Sequence, residues 1–361
     1  MSIRYFLGAI SPGGFTSLYP ELMDRAKRVY IIKSGPGSGK SSFMRRVAQR
    51  IEQNRPDTVP EFIHCSSDPE SLDAVVFPSL GAAIVDGTPP HALEPRYPGI
   101  VERYLPLCQF TDYTGLETHE SRLRALIDQN AACYRRAYLI LDGLRAVRYD
   151  MLGLMLDDSA LQKIRRRTAG IIAKTFSGKS HTLRNASAEP HEKKCFLNAF
   201  TPAGSICHYE TAQTLCENIY ELEDRFGLAP LMLTPILHAA REAGHDAMAC
   251  YHPLSPNEPA HILFPSLSMG FVISDAEHTF PGDAYRRVRL DACLSGDLYR
   301  QHRLRLRFLR KTERALRDEA LDILRQAGGL HDEMEALYNP HTNFDAVYEK
   351  AEQIAAEILA L

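Results

Sequence analysis

Apolar positions along this chain switch between two periods, and the switching predicts an α/β architecture. Val29 to Ile32 are β-branched and aromatic, the pattern of a buried strand. Phe43, Met44, Val47 and Ile51 then repeat at helical spacing. The run LGAAIVD ends at Asp86 in Gly-Thr-Pro-Pro, which reads as a strand leaving a sheet. Two longer stretches, Glu120 to Val147 and Leu298 to Gln326, read as helical tails. In the first of these Tyr134, Tyr138, Leu141 and Val147 keep a helical spacing, which places Asp142 on a helix and not at a strand end.

The pattern is spelled twice. FPSL occupies 77 to 80 and again 264 to 267, and RYFLGAISPGG (4 to 14) lies over KCFLNAFTPAG (194 to 204). Val29-Tyr30 matches Ile219-Tyr220 at the same offset of 190 residues. At an offset of 187, Pro69 matches Pro256, Val85 matches Val272, His91 matches His278, Val101 matches Val288 and Leu107 matches Leu294. Ordered matches of this kind, each followed by a helical tail, predict one α/β unit used twice. A length of 361 residues suits two domains. The expected division is 1–175, a linker at 176–192, and 193–361.

Between the strand at 29–32 and the helix at 43–51 lies SGPGSGKSS, a strand–loop–helix setting for the P-loop pattern. Gly35, Gly37 and Gly39 let the backbone take positive φ, so that consecutive N–H groups converge on a phosphate at the start of a helix. The expected phosphate-binding set is Gly35, Pro36, Gly37, Ser38, Gly39, Lys40, Ser41 and Ser42, with Lys40 reaching the β and γ phosphates. Ser34 stands where the pattern has its first glycine. The fold class expected is therefore α/β, as tandem P-loop NTPase-like three-layer domains with helical extensions. A second Gly-Lys-Ser at 178–180 lacks the other glycines and a sealing helix, and reads as linker.

A triphosphate in such a loop needs Mg²⁺, expected on Ser41 and Asp86. Gly87 follows Asp86 where RecA-type and AAA-type ATPases place a water-activating glutamate. The segment HCSSDPESLD adds His64, Cys65, Asp68 and Asp73 near the same edge, with Asp68 a candidate base or, with Ser71, the cap of a helix. His91 is a candidate phosphate sensor or a packed residue.

The second copy reads ELEDRFGLAPLM over 221–232, with Pro230 opposite Lys40, Leu231 opposite Ser41 and Ile273 opposite Asp86. Its acids Glu221, Glu223 and Asp224 oppose a triphosphate, which predicts one live and one retired site. Arg286, Arg287 and Arg289 could act as arginine fingers or be ordinary surface residues.

GAISPGGF, SGPGSGKSS, HCSSDPESLD, VDGTPPH and a related second half together resemble a family of bacterial two-repeat P-loop proteins described only as candidate ATPases. The resemblance spans nearly the whole chain and implies ATP binding, with the phosphate role on Gly35 to Ser42 and the acidic role on Asp86. Three readings follow: a slow ATPase or nucleotide-dependent switch, a small-molecule kinase with a second substrate, and a nucleic-acid-associated ATPase. The last would use the basic stretch from Arg300 to Arg317 and Arg165-Arg166-Arg167, yet Leu304, Leu306, Phe308, Leu309 and Leu316 interleave with the former as a packed helix would.

Composition changes little. A net charge of −3 gives no global pull to nucleic acid or membrane, and eight scattered cysteines without a CxxC pair fit neither a zinc site nor a disulfide framework. No stretch has the length of a membrane span. The expected setting is the cytoplasm, with reduced thiols.

Overall fold

The computed structural model describes residues 2–23, 26–90, 92–176 and 190–361. The first half runs β1 (Ile3–Tyr5), β2 (Gly8–Ser11), β3 (Gly14–Ser17), α1 (Pro20–Met23), β4 (Arg28–Ile32), α2 (Lys40–Asn54), β5 (Glu61–His64), β6 (Leu72–Phe77), β7 (Ala82–Asp86), β8 (Glu102–Leu105), α3 (Tyr113–Glu117), α4 (Glu120–Met155) and α5 (Asp158–Phe176). The second runs β9 (Glu192–Cys195), β10 (Asn198–Thr201), β11 (Gly204–Cys207), α6 (Tyr209–Leu215), β12 (Asn218–Glu223), α7 (Pro230–Glu242), β13 (Ala247–His252), β14 (Ser255–Phe264), β15 (Met269–Ser274), β16 (Arg286–Arg289), α8 (Gly296–Gln301), α9 (Arg303–Tyr338) and α10 (Phe344–Leu359).

Two six-stranded mixed sheets share one plan. Their orders are β1-β5-β6-β7-β4-β8 and β9-β13-β14-β15-β12-β16. In each, the third strand of that order, β6 or β14, is antiparallel to both neighbours, while the other pairings are parallel. Register follows as well: Ile32 pairs with Asp86 as Leu222 pairs with Ile273. Ile32 also pairs with Leu105, and Leu222 with Val288, so the counterpart of Val288 is Leu105 and not Val101. Gaps in the loops before β8 and β16 absorb the four-residue slip. The repeated FPSL is one corner built twice. Each Pro-Ser-Leu forms a 3-10 turn closed by a left-handed residue, Gly81 at φ 64° and Ser268 at φ 49°.

The segment after Asp68 is not a helix. Leu72 to Phe77 form β6, because LDAVVF is a β-branched run that completes a hairpin with β5. Asp68 instead closes the hairpin turn: its backbone carbonyl accepts the Ser71 N–H at 2.9 Å and its carboxylate the Glu70 N–H at 3.2 Å.

The helical tails are exchanged between the halves. α10 lays Val347, Ala351, Ile354 and Ile358 against Phe43, Met44, Val47 and Ile51 of α2 in the first half. Ile164 and Ile171 of α5, with Met151 and Met155 of α4, pack with Met232, Leu233 and Ile236 of α7 in the second. α4 and α9 run antiparallel, as the pairs Arg122–Glu333 and Asp150–Arg305 at opposite ends require. At an offset of 183 residues these two ion pairs are equivalents of one another. Phe6 and Phe196, equivalent at offset 190, exchange backbone hydrogen bonds at 2.8 and 2.9 Å. The halves therefore meet about a local twofold, with Tyr5, Tyr19, Val29 and Ile31 sharing a core with Leu197, Ile219 and Met248. Among the described residues no helix is long and apolar enough to cross a membrane.

Candidate functional site

β4 is buried along Val29 to Ile32, and its end releases the loop Lys33 to Gly39 at the parallel edge of the sheet, before α2 begins at Lys40. Gly37 and Gly39 sit at φ 64° and 78°, the left-handed region that glycine enters without strain, whereas Gly35, expected there too, does not take a positive φ. Gly39 serves as N-cap of α2 with no side-chain cap of its own. The Lys40 ammonium turns back over the loop, donating to the Gly35 carbonyl at 2.7 Å and standing 3.6 Å from the Asp86 carboxylate. Ser38 donates to the same Gly35 carbonyl at 2.7 Å. The Ser34 hydroxyl is buried without a hydrogen-bond partner.

Asp86 ends β7, directly beside β4, and is buried. Its second carboxylate oxygen accepts from the Thr88 N–H at 3.0 Å and the Thr88 hydroxyl at 2.6 Å. A β carbon at Gly87 would collide with the Ile31 side chain, so the backbone leaves no room there for a glutamate. Lys33 fastens this strand end, donating at 2.9 Å to the Gly87 and Leu93 carbonyls. Ser41 accepts the Leu72 N–H at 3.0 Å, and Arg45 donates to the Glu70 carbonyl, so the 65–71 turn is tied to the start of α2. Ser42 is exposed on the first turn of α2.

Lys40, Asp86 and the glycine loop are thus brought together as the sequence pattern requires. Asp68 lies in the neighbouring turn, with one carboxylate oxygen engaged by Glu70. His91 and the 178–180 Gly-Lys-Ser lie outside the described residues. Cys65 is no thiolate: burial, then the Asp73 charge, push its pKa well up. His64 is neutral, its pKa lowered by burial to about 4, with Nδ1 2.8 Å from the Pro69 carbonyl. Asp142 sits on α4 and pairs with Arg145, away from any strand end.

A neighbour that the motif does not announce covers the loop. The end of α9 and start of α10 lie against it so closely that a β carbon on Gly35 would fall 2.6 Å from the Tyr338 ring, and one on Gly37 2.6 Å from the Asn339 Oδ1. The Gly37 N–H donates to the Glu335 carboxylate at 3.1 Å. Gly37 therefore serves packing as well as backbone curl, and Gly35 serves packing. Nothing in the local sequence could have named Glu335, which is 298 residues away.

In the second half the acids are engaged. Asp224 follows β12 and accepts the Phe226 N–H at 3.1 Å and the Ala229 N–H at 2.7 Å, filling the anion seat at the start of α7 with a carboxylate of its own. Glu221 accepts from Ser274 and from Arg287, each at 2.7 Å, and Arg289 stands 3.6 Å from Glu223. Arg287 and Arg289 are thus paired with acids of their own sheet. Among the described residues no three His, Cys, Asp or Glu gather to hold a metal ion by themselves. The polar groups that could share one with phosphate oxygens are the Ser41 hydroxyl and Asp86. Comparisons with family models, with curated proteins and with solved structures gave no match.

Proposed function

We propose that the chain binds Mg-ATP at the 34–42 loop and acts as a slow ATPase or nucleotide-dependent switch, with one live and one retired site. The observation that carries this reading is the ammonium of Lys40 held between the Gly35 carbonyl and Asp86, at the amino end of a helix entered through a left-handed glycine. The residues present fit the nucleotide and its ion: glycine amides, the Lys40 ammonium, a hydroxyl at Ser41 and a buried carboxylate at Asp86. Bound Mg²⁺ would neutralise charge on the terminal phosphates. Lys40 would extend from the Gly35 carbonyl to the phosphates, and Asp86 would hold the ion through water.

Glu335 supports the switch side of the reading. Its carboxylate occupies a loop amide that a phosphate would take, so polyanion and carboxylate compete, and binding would push the end of α9 off the loop. The absence of room at Gly87 weakens hydrolysis by a glutamate in that place and keeps phosphoryl transfer to a second substrate as the alternative. In that case Asp68, in the turn tied to the start of α2, is the candidate base, with its second carboxylate oxygen left to offer.

The test is nucleotide binding and turnover in three variants. Lys40→Ala is expected to cut ATP affinity by about a hundredfold or more, since a charge-assisted contact to phosphate is lost. Asp86→Asn is expected to remove the Mg²⁺ dependence of binding, and Asp142→Asn to change neither. Undiminished binding in Lys40→Ala would refute the assignment.

A further inference from the structure

Where the first half holds its glycine loop, the second half holds a cavity of about 650 Å³, within the size range of small-molecule sites. Its floor is the carboxyl end of the second sheet, at Glu221, Ser274 and Asp275, with the turn into α7. α9 forms one wall, and α4, arriving from the other half, forms another through Arg148, Met151 and Leu152. Walls from both halves and an open side at Arg314 make it a cleft between elements and not a groove on one helix.

The charges around this cavity do not balance. Most of its acids are already engaged: Glu221 by Ser274 and Arg287, Glu223 by Arg289, Asp224 by two amides, Asp275 by the Glu277 and His278 N–H groups at 2.8 Å each, and Glu313 by Arg148 at 2.8 Å, while Glu258 at the rim accepts from the Tyr149 hydroxyl. Two of its cations are not. Arg310 lies 5.4 Å from the centre of the Phe226 ring, donates to the Tyr299 hydroxyl at 3.4 Å and feels the charge of Asp291 without forming an ion pair with it. Arg314 has no carboxylate partner among the described residues. A second hollow of about 400 Å³ opens on the same two arginines and carries Arg303, Arg307 and Lys311, likewise without acids. These cations are exposed or half-exposed, so water screens their mutual repulsion, and a bound anion would gain charge-assisted hydrogen bonds from several of them at once.

We propose that this cavity is a second ligand site, for a phosphate-bearing small molecule with an apolar or aromatic body. The guanidinium forks of Arg310 and Arg314 suit the phosphate, because planar donors grip its oxygens in pairs. The body lies against Phe226, Met151, Leu152 and Leu254. The backbone seat used by nucleotides elsewhere is closed here by Asp224, so recognition falls to side chains. The site is independent of the glycine loop and stands whether or not that loop binds ATP.

The test titrates phenyl phosphate, with phenol as the uncharged control, into the full chain and into its Lys40→Ala variant, both without Mg²⁺. Saturable binding of one phenyl phosphate, and none of phenol, is expected in both. Arg310→Gln with Arg314→Gln should weaken it about tenfold or more, whereas Arg303→Gln with Arg307→Gln, in the outer hollow alone, should weaken it less than about threefold. All four positions lie at or near the surface, and thermal unfolding would verify that each variant is folded. Absence of saturable binding would overturn the proposal. So would equal losses in the two double variants, or displacement by a single-stranded oligonucleotide that both double variants weaken alike, since either result means a polyanion-binding helix face and no site in the cleft.

Discussion

Lys40 and Glu335 put opposite charges on the same short loop, one from its own helix and one from the far end of the chain. The ammonium is available to phosphate once it leaves the Gly35 carbonyl, whereas the carboxylate must leave before phosphate can take the Gly37 amide. Glu335→Gln keeps the hydrogen bond geometry and removes the charge. It is therefore expected to raise ATP affinity by about threefold to tenfold, measured by calorimetry, with the gain shrinking as salt is added. Unchanged affinity would mean that Glu335 only packs. Gly35 and Gly37 could be read in the sequence as phosphate-binding curl, and the positive φ at Gly37 agrees with that. Their second role, making room for Tyr338 and Asn339, was not legible, because no local pattern records which distant side chain will press on a loop. Asp224 was legible as an acid in the wrong place for a triphosphate. That it caps its own helix needed coordinates.

Among the elements, the apolar pattern located β4, α2, β7 and both long tails, since each carries either an unbroken apolar run or a helical spacing. It misread the segment after Asp68, where capping residues precede β6 in place of a helix. It also could not assign the tails to partners, because an apolar stripe states that a face is buried and not against what. The exchange makes a sharp prediction. Ile354→Ala in α10 should destabilise the protein by about 2 to 5 kcal/mol and speed amide exchange first in residues 28–54, more than 300 positions earlier. Ile164→Ala in α5 should do the same in residues 230–242. Hydrogen exchange by mass spectrometry that mapped each effect to the half preceding the tail would contradict the exchanged packing.

For the molecule as a whole, the two halves have one strand order and meet at equivalent residues, yet their carboxyl edges differ in chemistry: Lys40 and Asp86 in one, Asp224 and an arginine-rimmed cavity in the other. Two buried histidines, His64 and His261, and the half-buried His252 tie the global stability to pH. Burial lowers the pKa of His64 to about 4 and those of His252 and His261 to about 3. Unfolded histidine titrates near 6.5, so below that pH the unfolded chain takes up protons that the folded chain refuses. Stability contributed by these groups is complete above about pH 6.5 and falls as pH drops towards 4, by about 1.4 kcal/mol per pH unit for each histidine involved. Urea midpoints that decline from pH 7 to pH 5 would agree, and a flat profile would not.

The two halves differ at their carboxyl edges, and calorimetry of Mg-ATP binding decides whether that difference is one live site against one retired site. One Mg²⁺-dependent equivalent per chain, lost in Lys40→Ala, is the predicted result. Two such equivalents, or one that survives Lys40→Ala, would contradict it.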